Sequence, residues 1–422
     1  MNRDAMHLNE TAKHMLTGKK GRACELAMNI LGELGDLYGA ERMIAVSQVH
    51  IDMTLYMVDA GVEFAERMAD WGGQFAVPAQ LNPASIDLIH HEKMRVPTEL
   101  LENSRRLESA FLKMGAIPTW TCAPYQQGLI PSFGDQVAWG ESNAVAFVNS
   151  VIGARTERYA DLTDVCAAIT GMVPELGLHL AENRKAEILL RIADLPAQTF
   201  NDSRIYPLLG FIFGEMAGDR VAGIEGIPGQ VTEDNLKSFS AAAASSGAVG
   251  LFHMIGVTPE APDIKTCFRN GKPQDTVVIT REMIDSAETR LIQGACPMPD
   301  LITLGCPHYS VEEFIRLEKY LDSRKIKSGI EFWVFTSRKT YDAIKKKNLL
   351  ERIERSGVKI FTDGCSLQYP KESWNFTCAM SDSVKYANYC FSQTGLNVLF
   401  SGTRDCVETA ISGELRISSL WK

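Results

Sequence analysis

The chain has 422 residues, long enough for two or three domains with full-sized cores, and its 45% hydrophobic and 23% charged residues are the balance of an ordinary folded protein. Its formal net charge of −9 excludes a nucleic-acid surface, which needs clustered Lys and Arg; the longest basic cluster, AIKKKN at 343–348, is a solvated helix end. No apolar run reaches the roughly 18–20 residues that cross a bilayer, and MNRDAMHLNETAKHML lacks the apolar core of a signal peptide.

In chain order, GRACELAMNILGELGDLYG has helical spacing, and MIAVSQVHI reads as one strand ending at His50. EFAERMADWGG is a helix stopped by a glycine pair, and QFAVPAQLNP a short strand running into a turn. TELLENSRRLESAFLKMG is a helix with Thr98 as N-cap and Gly115 just past its end. The Gly-, Ala- and Ser-rich stretch FSAAAASSGAVGLFHMIG calls for close backbone packing. In the last third DLITLG is a strand closed by Gly305, SVEEFIRLEKYLDS a helix opened by the capping box Ser310–Glu313, and GIEFWVFT a strand. RKTYDAIKKKN, GVKIFTDG, NVLFSGT and RDCVETAISG continue as helix, strand, strand and helix. This alternation predicts an α/β, multi-domain architecture with doubly wound, mainly parallel sheets, divided as an N-terminal α/β domain over 1–195, a middle sub-domain over 196–285 and a C-terminal α/β domain over 286–422. Ligands of such sheets sit beyond the carboxyl ends of the strands.

Ten cysteines with no CxxC pair suit a reducing, cytoplasmic location, where thiols are packed, reactive or metal-bound. Cys306 follows the strand LITLG and Cys365 the strand KIFTDG, so both project from the carboxyl edge of one sheet. Cys122 in PTWTCAPYQ likewise lies in a loop, followed by a small residue and Pro124. Three thiolates on rigid loops can hold an iron–sulfur cluster and leave one iron open as a Lewis acid. Cys24, Cys166, Cys378 and Cys390 lie in helix-like segments and read as packing residues, with Cys296 and Cys406 as weaker metal candidates. AWGESNAVAFVNSVIGARTER places Glu141, Ser142, Asn143, Asn149 and Arg155 in an apolar segment, where polar groups must be paired with one another or with a ligand. Arg155 has the fork to clamp a carboxylate, with a structural ion pair as the competing reading. His50 and Asp52 meet at a strand end, where a structural pair competes with a catalytic one. A thiol nucleophile built from Cys306 and His308 is a further reading, weakened by the absence of a third orienting group.

HIDMTLY, VPAQLNPASIDL, TCAPYQ, AWGESNAVAFVNSVIGARTER, LGCPHYS, TDGC and SDSVKYANY occur in the order seen in the aconitase X family, which the chain resembles from about residue 5 to about residue 415. The resemblance implies an aconitase-like hydro-lyase whose iron or iron–sulfur centre is held by Cys122, Cys306 and Cys365. It implies substrate contacts from the segment after the strand end, His50, Asp52, Met53, Thr54 and Leu55, and from the turn Asn82–Pro83. Ser142, Asn143, Arg155 and Lys385 are further contacts. It also implies a small subunit carrying the swivelling domain and a serine base, so that this chain corresponds to the large part alone. Two substrates follow from the family, cis-3-hydroxy-L-proline, which the motifs resemble more, and phosphomevalonate. Met53 stands where both branches have glycine and is expected to intrude into the pocket. PAQLN also departs from the commoner Pro-Thr-Thr-Leu-Asn, at Ala79 and Gln80, and a non-catalytic binding or regulatory subunit is the reading from another class.

Overall fold

Strand pairing divides the chain into three consecutive stretches, seen in a computed structural model that describes residues 6–193, 195–228, 230–368, 370 and 373–421. The first holds β1 (Met43–Ala45), β2 (Val49–Ile51), β3 (Ala79–Leu81), β4 (Ala138–Trp139) and β5 (Met172–Pro174). β3, β2 and β4 form a parallel sheet in that order, while β1 pairs antiparallel with β5. The segment read as one strand, MIAVSQVHI, is therefore two. Val46 donates to the Gly171 carbonyl and Ser47 to that of Gln136, so the chain changes partners between β1 and β2.

The second stretch carries β6 (Ile188–Ile192), β7 (Ala222–Glu225), β8 (Phe252–Met254) and β9 (Asp275–Ile279), all parallel in the order β8-β7-β6-β9. This sheet starts at 188, ahead of the expected boundary at 196. The helices Ile205–Ala217 and Glu233–Ser246 pack so closely that a Cβ on Gly210 would lie 2.5 Å from the Phe239 carbonyl, and one on Gly214 2.5 Å from that of Ala243. That is the close backbone approach the small-residue stretch called for.

The third stretch has β10 (Leu301–Tyr309), β11 (Glu331–Thr336), β12 (Lys359–Thr362), β13 (Cys378–Ser381) and β14 (Asn397–Phe400). They form one parallel sheet in the order β12-β11-β10-β13-β14. Chain order reverses between β10 and β13, which makes that crevice the switch point of a doubly wound sheet, where ligands bind. The fold class is thus α/β with mainly parallel sheets, as the alternation predicts.

Two local readings change. Pro97, not Thr98, occupies the N-cap of the helix Thr98–Lys113, and Thr98 is its first residue. Cys378 lies on a strand rather than a helix and is paired with Cys296 in a disulfide, their Cα atoms 5.7 Å apart, so neither is a free thiol. No helix among the described residues is long and apolar enough to cross a membrane.

Candidate active site

β10 does not stop at Gly305. Between Leu304 and Tyr309 it advances five residues while β11 advances two, from Val334 to Thr336, so the strand bulges out of its ladder. Gly305 makes this turn at φ 95°, and a Cβ there would sit 2.2 Å from the Phe335 carbonyl oxygen, so only glycine fits. The bulge carries Cys306, joined to Pro307 by a cis peptide, out at the switch point. The capping box is present: the Ser310 Oγ accepts from the Glu313 N–H, and the Glu313 carboxylate accepts from the Ser310 N–H at 2.7 Å.

Cys365 follows β12, and its loop is laced to the Asn82–Pro83 turn. Ala84 donates to the Asp363 carbonyl at 2.7 Å, and Cys365 donates to that of Ala84 at 3.1 Å. Cys122 comes off the edge of β3, where Thr121 donates to the Leu81 carbonyl at 3.0 Å. The three thiols, from the first and third stretches, thereby line one cleft of about 630 Å³ with Leu55, Asn82, Pro83, Glu141, Ser142 and Lys385.

Lys385 opens the helix Val384–Thr394 after β13, and Glu141 precedes the helix Ser142–Phe147. Their side chains form an ion pair that also receives the Ser142 hydroxyl, 3.1 Å from the Glu141 carboxylate. Burial opposes the charge on both. The ammonium nevertheless overrides that cost and pulls Glu141 down to about 2, and Lys385 is held above its usual value by Glu141. Asn82 gives its amide N–H groups to two carboxylates, Asp52 and, at 3.2 Å, Glu141, which orients the amide and leaves its buried Oδ1 without a partner among the described residues. Burial, and then the neighbouring Glu141, raises Asp52. Burial also raises Asp164, to about 7, although its carboxylate accepts the N–H groups of Met53, at 3.3 Å, and Asp52.

Of the residues singled out in the sequence, Leu55, Asn82, Pro83, Glu141, Ser142, His308, Lys385 and the three cysteines reach the cleft. Asp52 stands one hydrogen bond behind it. Asn143 is fully buried and supports it, donating to the Cys122 carbonyl at 3.0 Å. His50 is buried beneath, its Nε2 2.9 Å from the Thr121 carbonyl, and burial lowers it to about 4. Thr54 turns away to the Pro83 carbonyl at 2.8 Å. Arg155 is not a cleft residue: its guanidinium lies 3.5 Å from the His179 carbonyl. Met53 does not intrude either, because its side chain is 4% exposed and packs in the first core. Gln80 likewise is buried in β3, near Gln48. Met53, Ala79 and Gln80, the departures from the family pattern, are all buried and lie under the site, not in it.

Sequence reading named Glu141 without pairing it to Lys385, and left out Ser85, Leu100, Gln368 and Tyr389 of the cleft wall. Glu141 alone had a signal, an acidic residue inside an apolar segment.

Burial pushes all three thiols up, Cys365 to about 12, and Cys306 adds to the effect on the other two. Among the described residues, no three His, Cys, Asp or Glu side chains are grouped as a ready metal cage. The donor set nevertheless fits an iron or iron–sulfur group. The thiols share one wall, and backbone N–H groups point at two of the sulfurs, that of His308 at Cys122 (3.3 Å) and that of Leu367 at Cys365. Such donors favour the thiolate that a metal requires.

Models of the aconitase X first, second and third domains match residues 5–182, 186–289 and 299–412. The chain is 37% identical to a cis-3-hydroxy-L-proline dehydratase of Pseudomonas aeruginosa over 94% of its own length and 69% of the relative's. It is 34% identical to the phosphomevalonate dehydratase large subunit of Methanosarcina mazei, over 97% of this chain and 98% of that one. The crystal structure of Thermococcus kodakaraensis aconitase X in its holo-form superimposes with a TM-score of 0.86 at 30% identity, covering 96% of this chain and all of that one. Both the fold and the sequence lead to one conclusion: the chain belongs to the aconitase X family and is an enzyme of the dehydratase class.

Proposed function

We propose that this chain is the large subunit of a two-subunit dehydratase that removes water from cis-3-hydroxy-L-proline, with an iron or iron–sulfur centre on Cys122, Cys306 and Cys365. The observation that carries the reading is the arrival of three thiols from separate loops on one cleft wall, beside the Lys385–Glu141 pair. When bound, the centre supplies a Lewis acid for the leaving hydroxyl or a carboxylate oxygen.

The chain's own residues prepare the rest. Lys385 keeps its proton at Nζ across the neutral range and offers N–H donors to the substrate carboxylate. Glu141 holds that ammonium in place and stays ionised. Asn82 commits its N–H groups to Asp52 and Glu141 and so holds the Glu141 carboxylate beside Lys385. The proton acceptor is assigned to a small subunit with a serine, whose docking would also dry the cleft. The relatives support this division: the M. mazei protein is a large subunit by name and matches end to end.

Charge favours hydroxyproline. Lys385 is the one lysine or arginine among the described lining residues, and it is already neutralised by Glu141, so a phosphate added to a carboxylate would find no free cation there. The phosphomevalonate reading keeps one supporting observation, the end-to-end match with named large subunits. A regulatory, non-catalytic role loses its basis with Met53 in the core.

The test is anaerobic co-expression with a candidate small subunit, followed by iron and sulfide assays and incubation with each substrate. Iron retained by the wild type, lost in Cys306→Ser, with turnover of hydroxyproline, is the expected result. An iron-free active complex, or iron undiminished in Cys306→Ser, sinks the centre, and turnover of phosphomevalonate alone reverses the substrate.

A further inference from the structure

His308 lies two residues beyond Cys306 and is 2% exposed. A buried histidine with satisfied nitrogens is commonly a packing residue, but the partners of this one are the other two cysteine loops. Its backbone N–H points at the Cys122 sulfur, at 3.3 Å. Its ring Nδ1 is 3.1 Å from the Oγ1 of Thr121, the residue before Cys122. Its Nε2 is 2.9 Å from the carbonyl of Gly364, the residue before Cys365. A carbonyl only accepts, so Nε2 carries the hydrogen and Nδ1 accepts from the Thr121 hydroxyl. That hydroxyl in turn accepts the Ala123 N–H at 3.1 Å, which closes the loop around Cys122 from both sides.

The peptide is also held from behind. The His308 carbonyl accepts from the Lys237 ammonium at 3.2 Å. Lys237 is buried on the helix Glu233–Ser246 between Glu313 and, at 3.4 Å, Asp234. Since Glu313 closes the capping box on Ser310, the segment 308–310 is pinned on both sides.

We propose that His308 is the positioning residue that sets the spacing of Cys122, Cys306 and Cys365, joining their loops through its backbone N–H and both ring nitrogens. The inference rests on the three-cysteine reading of the site. A residue that moved freely here would leave two loops from one sheet and one from another without a common anchor. Supporting groups of this kind change metal affinity about tenfold to a hundredfold when removed.

The test uses the reduced, metal-free chain and two readouts. Dibromobimane fluoresces only after bridging two neighbouring thiols, and peptide mapping identifies the pair; Cys296 with Cys378 serves as the internal control. Wild type is expected to bridge within the Cys122, Cys306 and Cys365 set. His308→Ala should lose that bridging several-fold with the control pair unchanged, and His308→Gln, which can still donate to the Gly364 carbonyl, should recover part of it. If His308→Ala does not fold, Thr121→Val removes one ring bond and takes its place. Cobalt(II) titration, read by thiolate-to-cobalt absorption, should show affinity falling about tenfold to a hundredfold in His308→Ala. Unchanged bridging in a folded His308→Ala overturns the proposal. Cobalt binding that is absent in wild type, or undiminished in Cys306→Ser, overturns the three-cysteine reading instead, and the bridging result then decides the spacing role by itself.

Discussion

Replacing Lys385 by methionine removes the ammonium and leaves Glu141 buried without its counter-charge. The two side chains are 10% and 14% exposed, so solvent screens the pair weakly. Glu141 is drawn from 4.5 to about 2 even after its burial cost, which corresponds to ~3 kcal/mol. Breaking a buried pair on one side costs about 3–5 kcal/mol, and the two figures agree. Urea unfolding of the reduced, metal-free chain at neutral pH should therefore place Lys385→Met about 3–5 kcal/mol below wild type. Glu141→Gln should also be destabilised, and the double variant should be more stable than the sum of the single losses predicts, because it leaves neither charge alone. The pH dependence carries the sign. In wild type the pair's contribution is complete above about 4.5 and is lost as pH falls through about 2. In Lys385→Met the unpaired carboxyl titrates above its ordinary value, so the deficit shrinks as pH falls from 7 toward 4. A Lys385→Met protein within about 1 kcal/mol of wild type, or strict additivity in the double variant, refutes the reasoning.

Gly305→Ala meets the Phe335 carbonyl at 2.2 Å from a backbone at φ 95°, and thermal melting should show a loss of at least about 2 kcal/mol together with weaker metal retention. Asp164 binds a proton up to about 7 when folded and only to 3.8 when unfolded, so its contribution is present below about 4 and lost as pH rises through 7. Asp164→Asn should flatten the stability–pH profile in that window, an effect on the order of 4 kcal/mol at its upper end. Met53→Gly should leave substrate preference unchanged and lower the melting temperature, since Met53 fills core rather than cleft; a Met-to-Ala truncation in a core costs about 2–5 kcal/mol, and a shift in KM without loss of stability would contradict the placement.

Much of the last third was legible because its signals are local. The capping box at Ser310 and Glu313, the continuous apolar runs of the doubly covered parallel strands and the glycines past helix ends all act within a few residues. The break inside MIAVSQVHI was not legible, because it depends on carbonyls of Gly171 and Gln136 that are far away in the chain. Nor could sequence tell that Arg155 turns to His179 or that Met53 turns inward, since side-chain direction is set by which sheet lies above.

Sequence alone carried the order of elements, the parallel doubly wound class, and which residue types were on offer to the site, three cysteines in loops and polar groups in an apolar segment. Tertiary structure alone decided how they meet. Cys122 leaves one sheet and Cys306 and Cys365 leave another, and their convergence depends on a bulge in β10, the lacing of Cys365 to Ala84, and His308 between them. Periodicity records which face of an element is buried. It carries no information on which distant loop a hydrogen bond will reach, and the candidate site is built from such bonds.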